Sequence, residues 1–156
     1  MTAEAGTFSF DEEVPLFLAT CRTASLATVG DSGQPHTANI QYAQDAAMRL
    51  HWVSSSDAQH SRDLASNPQA AVTVYGHDDQ AMRIHGVQMR GTVQTIGDPG
   101  LWNEVWELYT AKFAFVAAMP QLRQIVEQQT FYRFTPTWAR WIDNRRGFGW
   151  NMEKTL

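Results

Sequence analysis

The sequence predicts a mainly β protein of the α+β class: an antiparallel barrel of six or seven strands with three or four helices at its periphery. Two observations support this prediction. Several short segments alternate apolar and polar residues with a period of two, and tight turns connect most of them. Segments with helical spacing occur only at the start, in the middle and late in the chain, whereas a Rossmann sheet requires a helix between successive strands.

The first part of the chain predicts a helix and then three strands. An acidic run at 11–13 precedes apolar residues at helical spacing, and acidic side chains favour a helix N-terminus. Residues 24–29 and 35–43, joined by a turn with two glycines, predict a hairpin whose second strand has one apolar and one polar face. Residues 48–55 alternate in the same way, so we expect a third strand antiparallel to the second.

The middle of the chain predicts one short helix between strands. Asp57 is expected to cap a helix that runs to Leu64, and residues 70–75 are rich in strand-forming side chains. The stretch from Met82 to Ile96 is long for one strand. Two glycines inside it, at positions 86 and 91, indicate bends or bulges where a barrel curls.

The last third predicts two more helices and the closing strands. Asp98 followed by Pro99 is a helix-start signal, and a second short helix is expected over 120–128. Residues 131–134 and 138–142 are expected to form two strands separated at Pro136, followed by a turn and a tail.

Composition narrows the possible functions. The 156 residues are enough for one domain over 1–156. With a net charge of −4 and a pI near 5.7, the protein lacks the positive field that nonspecific nucleic-acid binding needs, so a nucleic-acid partner is not expected. A single cysteine, an acidic N-terminus and the lack of an apolar run of about 20 residues favour a cytoplasmic protein with no membrane span. The five histidines show no metal-ligand spacing, so no metal site is predicted.

Three segments, in order and spacing, resemble proteins of the pyridoxamine 5'-phosphate oxidase-like family. They are the helix-to-strand passage 60–75, the following strand 84–93, and the opening hairpin 23–35. The likeness covers roughly residues 14–96, and residues 148–150 match more weakly. The resemblance implies a split β-barrel with Greek-key character, a homodimer, and FMN in two symmetric clefts between the subunits.

A phosphate subsite is expected at the junction between a strand and the short helix. Ser54, Ser55, His60, Ser61 and Arg62 supply hydroxyls and cationic groups there, which suit an anion. The family usually has a lysine near this point and this chain has none, so Arg62 supplies the permanent charge. The alternative is that 54–57 simply cap the helix and that Arg62 is a solvated surface charge.

Other residues are expected around the flavin ring. By the resemblance, Thr37, Ala38 and Asn39 line the isoalloxazine, and Gln88 lies near its polar edge, where an amide can both donate and accept. A second group of candidates consists of Trp52, Val53 and Trp150. Trp52 also continues an apolar face and could belong to the core, and Trp150 could close the cleft of the partner subunit or dock on its own barrel.

The function predicted from these residues is a flavin oxidoreductase in which FMN takes hydride from NADH or NADPH and reduces a small molecule. No catalytic acid or base stands out. A flavin-storing or stress-related protein without turnover is therefore an open alternative, as is a split barrel that binds haem or a deazaflavin.

Overall fold

A computed structural model describes residues 7–156. The helices are α1 Phe10–Thr20, α2 Gln59–Ser66, α3 Pro99–Lys112, α4 Ala114–Ala118 and α5 Pro120–Glu127. The strands are β1 Thr23–Val29, β2 Pro35–Gln41, β3 Ala43–Gln44, β4 Leu50–Ser54, β5 Gln69–Tyr75, β6 His85–Ile96, β7 Thr130–Asp143 and β8 Asn151–Thr155. The predicted fold class is confirmed, with one short strand and one helix more than expected in the described range.

The strands form one antiparallel, curled sheet in the order β2-β1-β5-β6-β7-β4-β3, and β8 pairs with β7. The predicted hairpin is β1 with β2, and β2 alternates between exposed and covered side chains as expected. The strand predicted at 48–55 pairs with its predecessor only through β3, at Ala43 and Gln44. Its longer partner is β7, where 50–54 lie opposite 130–134.

The ribbon of β6 and β7 contains the bulge that the glycines indicated. Its register shifts between Arg90 and Gly91, and a Cβ added to Gly91 would lie 2.0 Å from the carbonyl oxygen of Thr135. The prediction of two strands separated at Pro136 is wrong, because β7 continues through it. Pro136 lies opposite Gly91 at this irregularity, where a missing N–H is tolerated.

The two predicted helix caps have different outcomes. Asp98 caps α3, since its Oδ2 accepts a hydrogen bond of 2.8 Å from the amide of Leu101. The Asp57 cap is wrong: α2 begins at Gln59, its N-cap is Ala58, and no side chain caps it. The short helix α4 and the final strand β8 were not predicted. Residues 151–155 do not alternate apolar and polar side chains, and most of them are exposed.

Two groups of buried apolar side chains stabilise the sheet. The larger group fills the barrel and includes Leu26, Trp52 and Trp141, while a smaller one packs α3, α4 and α5 against the start of β7 at Phe131. In the described part of the chain, no helix is long and apolar enough to cross a membrane.

Candidate functional site

One face of the sheet carries two rows of exposed or half-exposed residues, which we call the open sheet face. Directly opposite residues of antiparallel strands project to the same side, so the register defines both rows. The first row is Asn39, Ser25, Thr73, Gln88, Arg140 and Glu153, and the second is Thr37, Ala27, Ala71, Arg90, Trp138 and Thr155. Two predicted flavin residues therefore share the first row, Asn39 at one end and Gln88 in its middle.

Alternation along β6 explains why Gln88 reaches this face. Its neighbours Val87 and Met89 are buried in the barrel. Asn39 lies on β2 at the far end of the row, where its Oδ1 accepts a 3.2 Å hydrogen bond from Ser25. Three inter-strand spacings separate Asn39 from Gln88, or about 14 Å. At this separation, the two amides of one chain cannot both hydrogen-bond to the same edge of a small ligand.

The open sheet face has two shallow depressions of about 480 and 450 Å³, which share Ala71, Arg90 and Trp138. The Trp138 ring lies beside two cations: the guanidinium carbons of Arg90 and Arg140 are 4.1 and 5.3 Å from its centroid. Arg140 also pairs with Glu153 and lowers the pKa of that carboxyl. Arg90 has no ion pair within the described chain. This arrangement offers an aromatic surface and positive charge to a flat, anionic ligand.

The predicted phosphate subsite is partly assembled. Ser54 Oγ lies 2.9 Å from His60 Nε2, and burial, followed by the nearby His36, lowers the pKa of His60. Lowering this pKa favours the uncharged imidazole at neutral pH. Ser55 Oγ is turned back to its own loop, where it accepts a 3.1 Å hydrogen bond from the amide of Asp57.

Arg62 is exposed, and the structure gives it partners within its own helix region. Its Nη2 donates to Gln59 Oε1 at 2.6 Å, and Nη1 donates to the carbonyl of Asp57. An incoming anion must compete with both contacts for the guanidinium.

Ser61 points away from its two neighbours. It is buried, its Oγ has no hydrogen-bond partner in the described chain, and it lines a separate cavity of about 680 Å³. Adjacent helical residues project about 100° apart, so His60, Ser61 and Arg62 diverge although they are consecutive.

Asp63, which the sequence did not single out, holds α2 against β1. Its carboxylate accepts hydrogen bonds from Thr28 Oγ1 at 2.8 Å and Gln59 Nε2 at 2.7 Å, and both lower its pKa. A Cβ at Gly30 would lie only 2.6 Å from Asp63 Oδ1.

Three remaining candidates lie away from the open sheet face. Trp52 is buried and stacks on Tyr132, with ring centroids 5.5 Å apart, while Val53 packs against the cluster of α3 to α5. Trp150 is half-buried and makes an edge contact of 5.2 Å with Phe8. Trp52 thus takes the core position that the apolar alternation allowed, and Trp150 docks on its own barrel.

Ala38 and Thr37 complete the set on β2. Thr37 is exposed on the open sheet face, and Ala38 is half-buried on the opposite side of the strand. The structure therefore brings Thr37, Asn39 and Gln88 onto one face, places Ser54 beside His60, and leaves the two groups separate within a chain.

The model of the pyridoxamine 5'-phosphate oxidase family matches residues 10–142. The chain belongs to this family. No curated protein matches it. The fold is shared with solved structures at low sequence identity. The conserved hypothetical protein Rv2991 from Mycobacterium tuberculosis has a TM-score of 0.77 at 20% identity, with 94% of this chain and 92% of that chain covered.

Two other structures of similar fold are those of haem proteins. A haem-binding protein from Mycobacterium smegmatis has a TM-score of 0.79 at 18% identity, and this chain (96% covered) spans 59% of its length. HutZ, the haem storage protein from Vibrio cholerae, has a TM-score of 0.69 at 20% identity, with 83% of this chain and 91% of that chain covered. At these identities the likeness establishes the fold and leaves the ligand to be argued from the site.

Proposed function

We propose that the protein is an FMN-dependent oxidoreductase that works as a homodimer, with each flavin held between the open sheet faces of two copies. The observation that carries the proposal is the position of Asn39 and Gln88. Both belong to the predicted flavin set, both lie on the same exposed row, and about 14 Å separates them in one chain. In the proposed dimer, a two-fold contact between two such faces would bring Gln88 of one copy near β2 of the other.

The residues of this face suit a flavin chemically. Thr37, Asn39 and Gln88 offer hydroxyl and amide groups for the polar edge of the ring, and Trp138 offers a flat surface. Ser54 and His60 would contact the phosphate. Bound FMN supplies the hydride and electron chemistry, while these side chains bind, orient and shield it.

Phosphate recognition depends on few charges. His60 has a lowered pKa, so it contributes little positive charge at neutral pH until an anion binds beside it. Arg62 is the permanent cation of this region and must exchange Gln59 for the phosphate. FMN affinity is therefore modest, and it increases as the pH falls toward the range where His60 gains a proton.

A subunit-mixing experiment tests the shared site. Asn39→Leu and Gln88→Leu are purified separately, each with weakened flavin binding, and are then unfolded together and refolded. In a shared site, each mixed dimer has one intact cleft and one doubly altered cleft. Random pairing then restores about a quarter of the wild-type sites. If both residues came from one subunit, every site would keep one defect and mixing would restore nothing.

The absorption spectrum of the purified protein distinguishes the ligand. Paired flavin bands that bleach with NADH or NADPH support the oxidoreductase, whereas flavin bands that do not bleach indicate storage. A monomer that binds FMN in light scattering, or a protein that takes up no flavin when supplied with it, refutes the proposal.

Haem binding is the second candidate, because two structures of this fold are haem proteins. Trp138 with Arg90 and Arg140 could receive a flat ring that carries carboxylates. An intense Soret band after incubation with haemin, lost in Arg90→Ala, would favour haem over flavin.

A further inference from the structure

The largest of the described cavities lies away from the open sheet face. Its volume is about 680 Å³, within the range of small-molecule sites, and it is formed where α2 meets the ends of β6 and β7. Ser61 and Leu64 contribute from the helix, Val93 and Thr95 from β6, and Thr130 and Tyr132 from β7. We call it the helix α2 cavity.

One hydroxyl group that lines the helix α2 cavity is buried without a partner in the described residues. Ser61 is 4% exposed and its Oγ has no hydrogen-bond partner. No side-chain hydrogen bond within residues 7–156 engages Thr95, Thr130 or Tyr132 either. A buried, unpaired hydroxyl costs stability, and native proteins satisfy nearly all such groups. Ser61 therefore presents an unsatisfied hydroxyl to the cavity, and the exposed Thr95 and half-buried Thr130 add hydroxyls that a ligand can reach.

The lining also limits the charge of that ligand. Among the described residues that line the helix α2 cavity, none is acidic, basic or a histidine. An anion or cation bound there would lose its hydration without gaining an opposite charge, which is costly. Leu64 and Val93 add apolar surface to the lining. The cavity therefore favours an uncharged molecule with one apolar side and several hydroxyl or amide groups.

We propose that the helix α2 cavity binds an uncharged ligand of nucleoside size and chemistry, separately from the flavin phosphate region. Ser61, Thr95 and Thr130 hydrogen-bond its hydroxyl or amide groups, and Leu64 and Val93 pack on its ring. The proposal does not depend on FMN, because Ser61 faces this cavity while His60 bonds to Ser54.

Titration followed by amide NMR tests this site. The probes are uridine, cytidine, adenosine and guanosine, and the charge control is uridine 5'-monophosphate. At millimolar nucleoside, we expect at least one to shift the amide resonances of Ser61, Leu64, Thr95 and Thr130, and the monophosphate to bind there at least about tenfold more weakly. No shift with any of the four nucleosides, or equal binding of the monophosphate, overturns the proposal.

Two variants separate ligand binding from folding. Ser61→Ala should weaken the bound nucleoside about five- to tenfold, the loss expected for one hydrogen bond. Ser32→Ala removes an exposed hydroxyl in the turn between β1 and β2, outside the cavity, and should leave nucleoside binding unchanged. Without ligand, Ser61→Ala should melt at the same or a higher temperature, because it removes an unpaired buried hydroxyl. A lower melting temperature would show that Ser61 already has a partner, and would overturn the assignment.

Discussion

Acid should destabilise this protein through one buried histidine on β4. His51 is 1% exposed, its Nδ1 lies 3.2 Å from the carbonyl oxygen of Ala43, and its Nε2 lies 2.9 Å from Arg133 Nε, which can only donate. In the neutral imidazole both ring nitrogens are therefore hydrogen-bonded: Nδ1 carries the proton and donates to Ala43, and Nε2 accepts from Arg133. A second proton on Nε2 would face the guanidinium of Arg133.

The pKa of His51 gives the size of the effect. Burial, opposed by Asp45 and reinforced by Arg133 and Arg49, lowers this pKa to about 4. The ordinary value in the unfolded chain is near 6.5, so between these values the unfolded chain binds the extra proton and the folded chain does not. The contribution of His51 to the free energy of unfolding is therefore fully present above a pH of about 6.5 and is lost as the pH falls toward 4. At 1.36 kcal/mol per pH unit, the full loss is roughly 3 kcal/mol.

Urea unfolding between about pH 7 and pH 5 measures this loss as the slope of the unfolding free energy against pH. His51→Gln removes the titrating group and should give a shallower slope, whatever its effect on absolute stability. His77→Gln, at an exposed turn, is the matched control and should keep the wild-type slope. The reasoning is refuted if His51→Gln and the wild type show the same slope over this range.

Three further predictions concern the cofactor and the bulge. Arg62→Ala should weaken FMN by about 1.5–3 kcal/mol and leave riboflavin unchanged in fluorescence titrations, since only FMN has the phosphate; equal losses would place the phosphate elsewhere. Gln88→Leu should weaken FMN and riboflavin by the same factor, roughly 1–3 kcal/mol, and unchanged binding of both would remove Gln88 from the site. Gly91→Ala should lower the melting temperature strongly, because its Cβ would meet the Thr135 carbonyl at 2.0 Å, whereas Gly97→Ala has open space and should not.

The sequence predicts those parts of the fold that depend on neighbouring residues. Alternation along β2 and the cap of α3 by Asp98 are local, and both appear as expected. The continuity of β7 through Pro136 depends on Gly91, which lies 45 positions earlier in the chain and creates the irregularity opposite it. A sequence pattern around Pro136 cannot indicate that Gly91 lies opposite it in the sheet. Strand β8 was missed for a similar reason, since its exposed residues are ordered by pairing with β7.

The candidate site divides in the same way. Alternation along β6 accounts for Gln88 on the outer face, because its neighbours Val87 and Met89 are buried in the barrel. Sequence proximity failed for His60 and Ser61, which are consecutive but face different surroundings on α2. In the proposed dimer, the relation of Asn39 to Gln88 would depend on a second copy of the chain, which neither the sequence nor one protomer determines.

The pairing of β4 with β7 also has a consequence for how the chain is made. Residues 50–54 of β4 pair with 130–134 of β7, which are synthesised about 80 residues later. Before β7 is made, β4 can pair only with β3, at two positions. The edge of β4 and much of the barrel interior stay open during that interval, a condition that favours aggregation and slows folding. A nascent chain stalled before residue 130 should accordingly bind holding chaperones, and one that has emerged beyond β7 should release them. Synthesis of β7 thus determines when the edge of β4 is no longer open to aggregation in the cell.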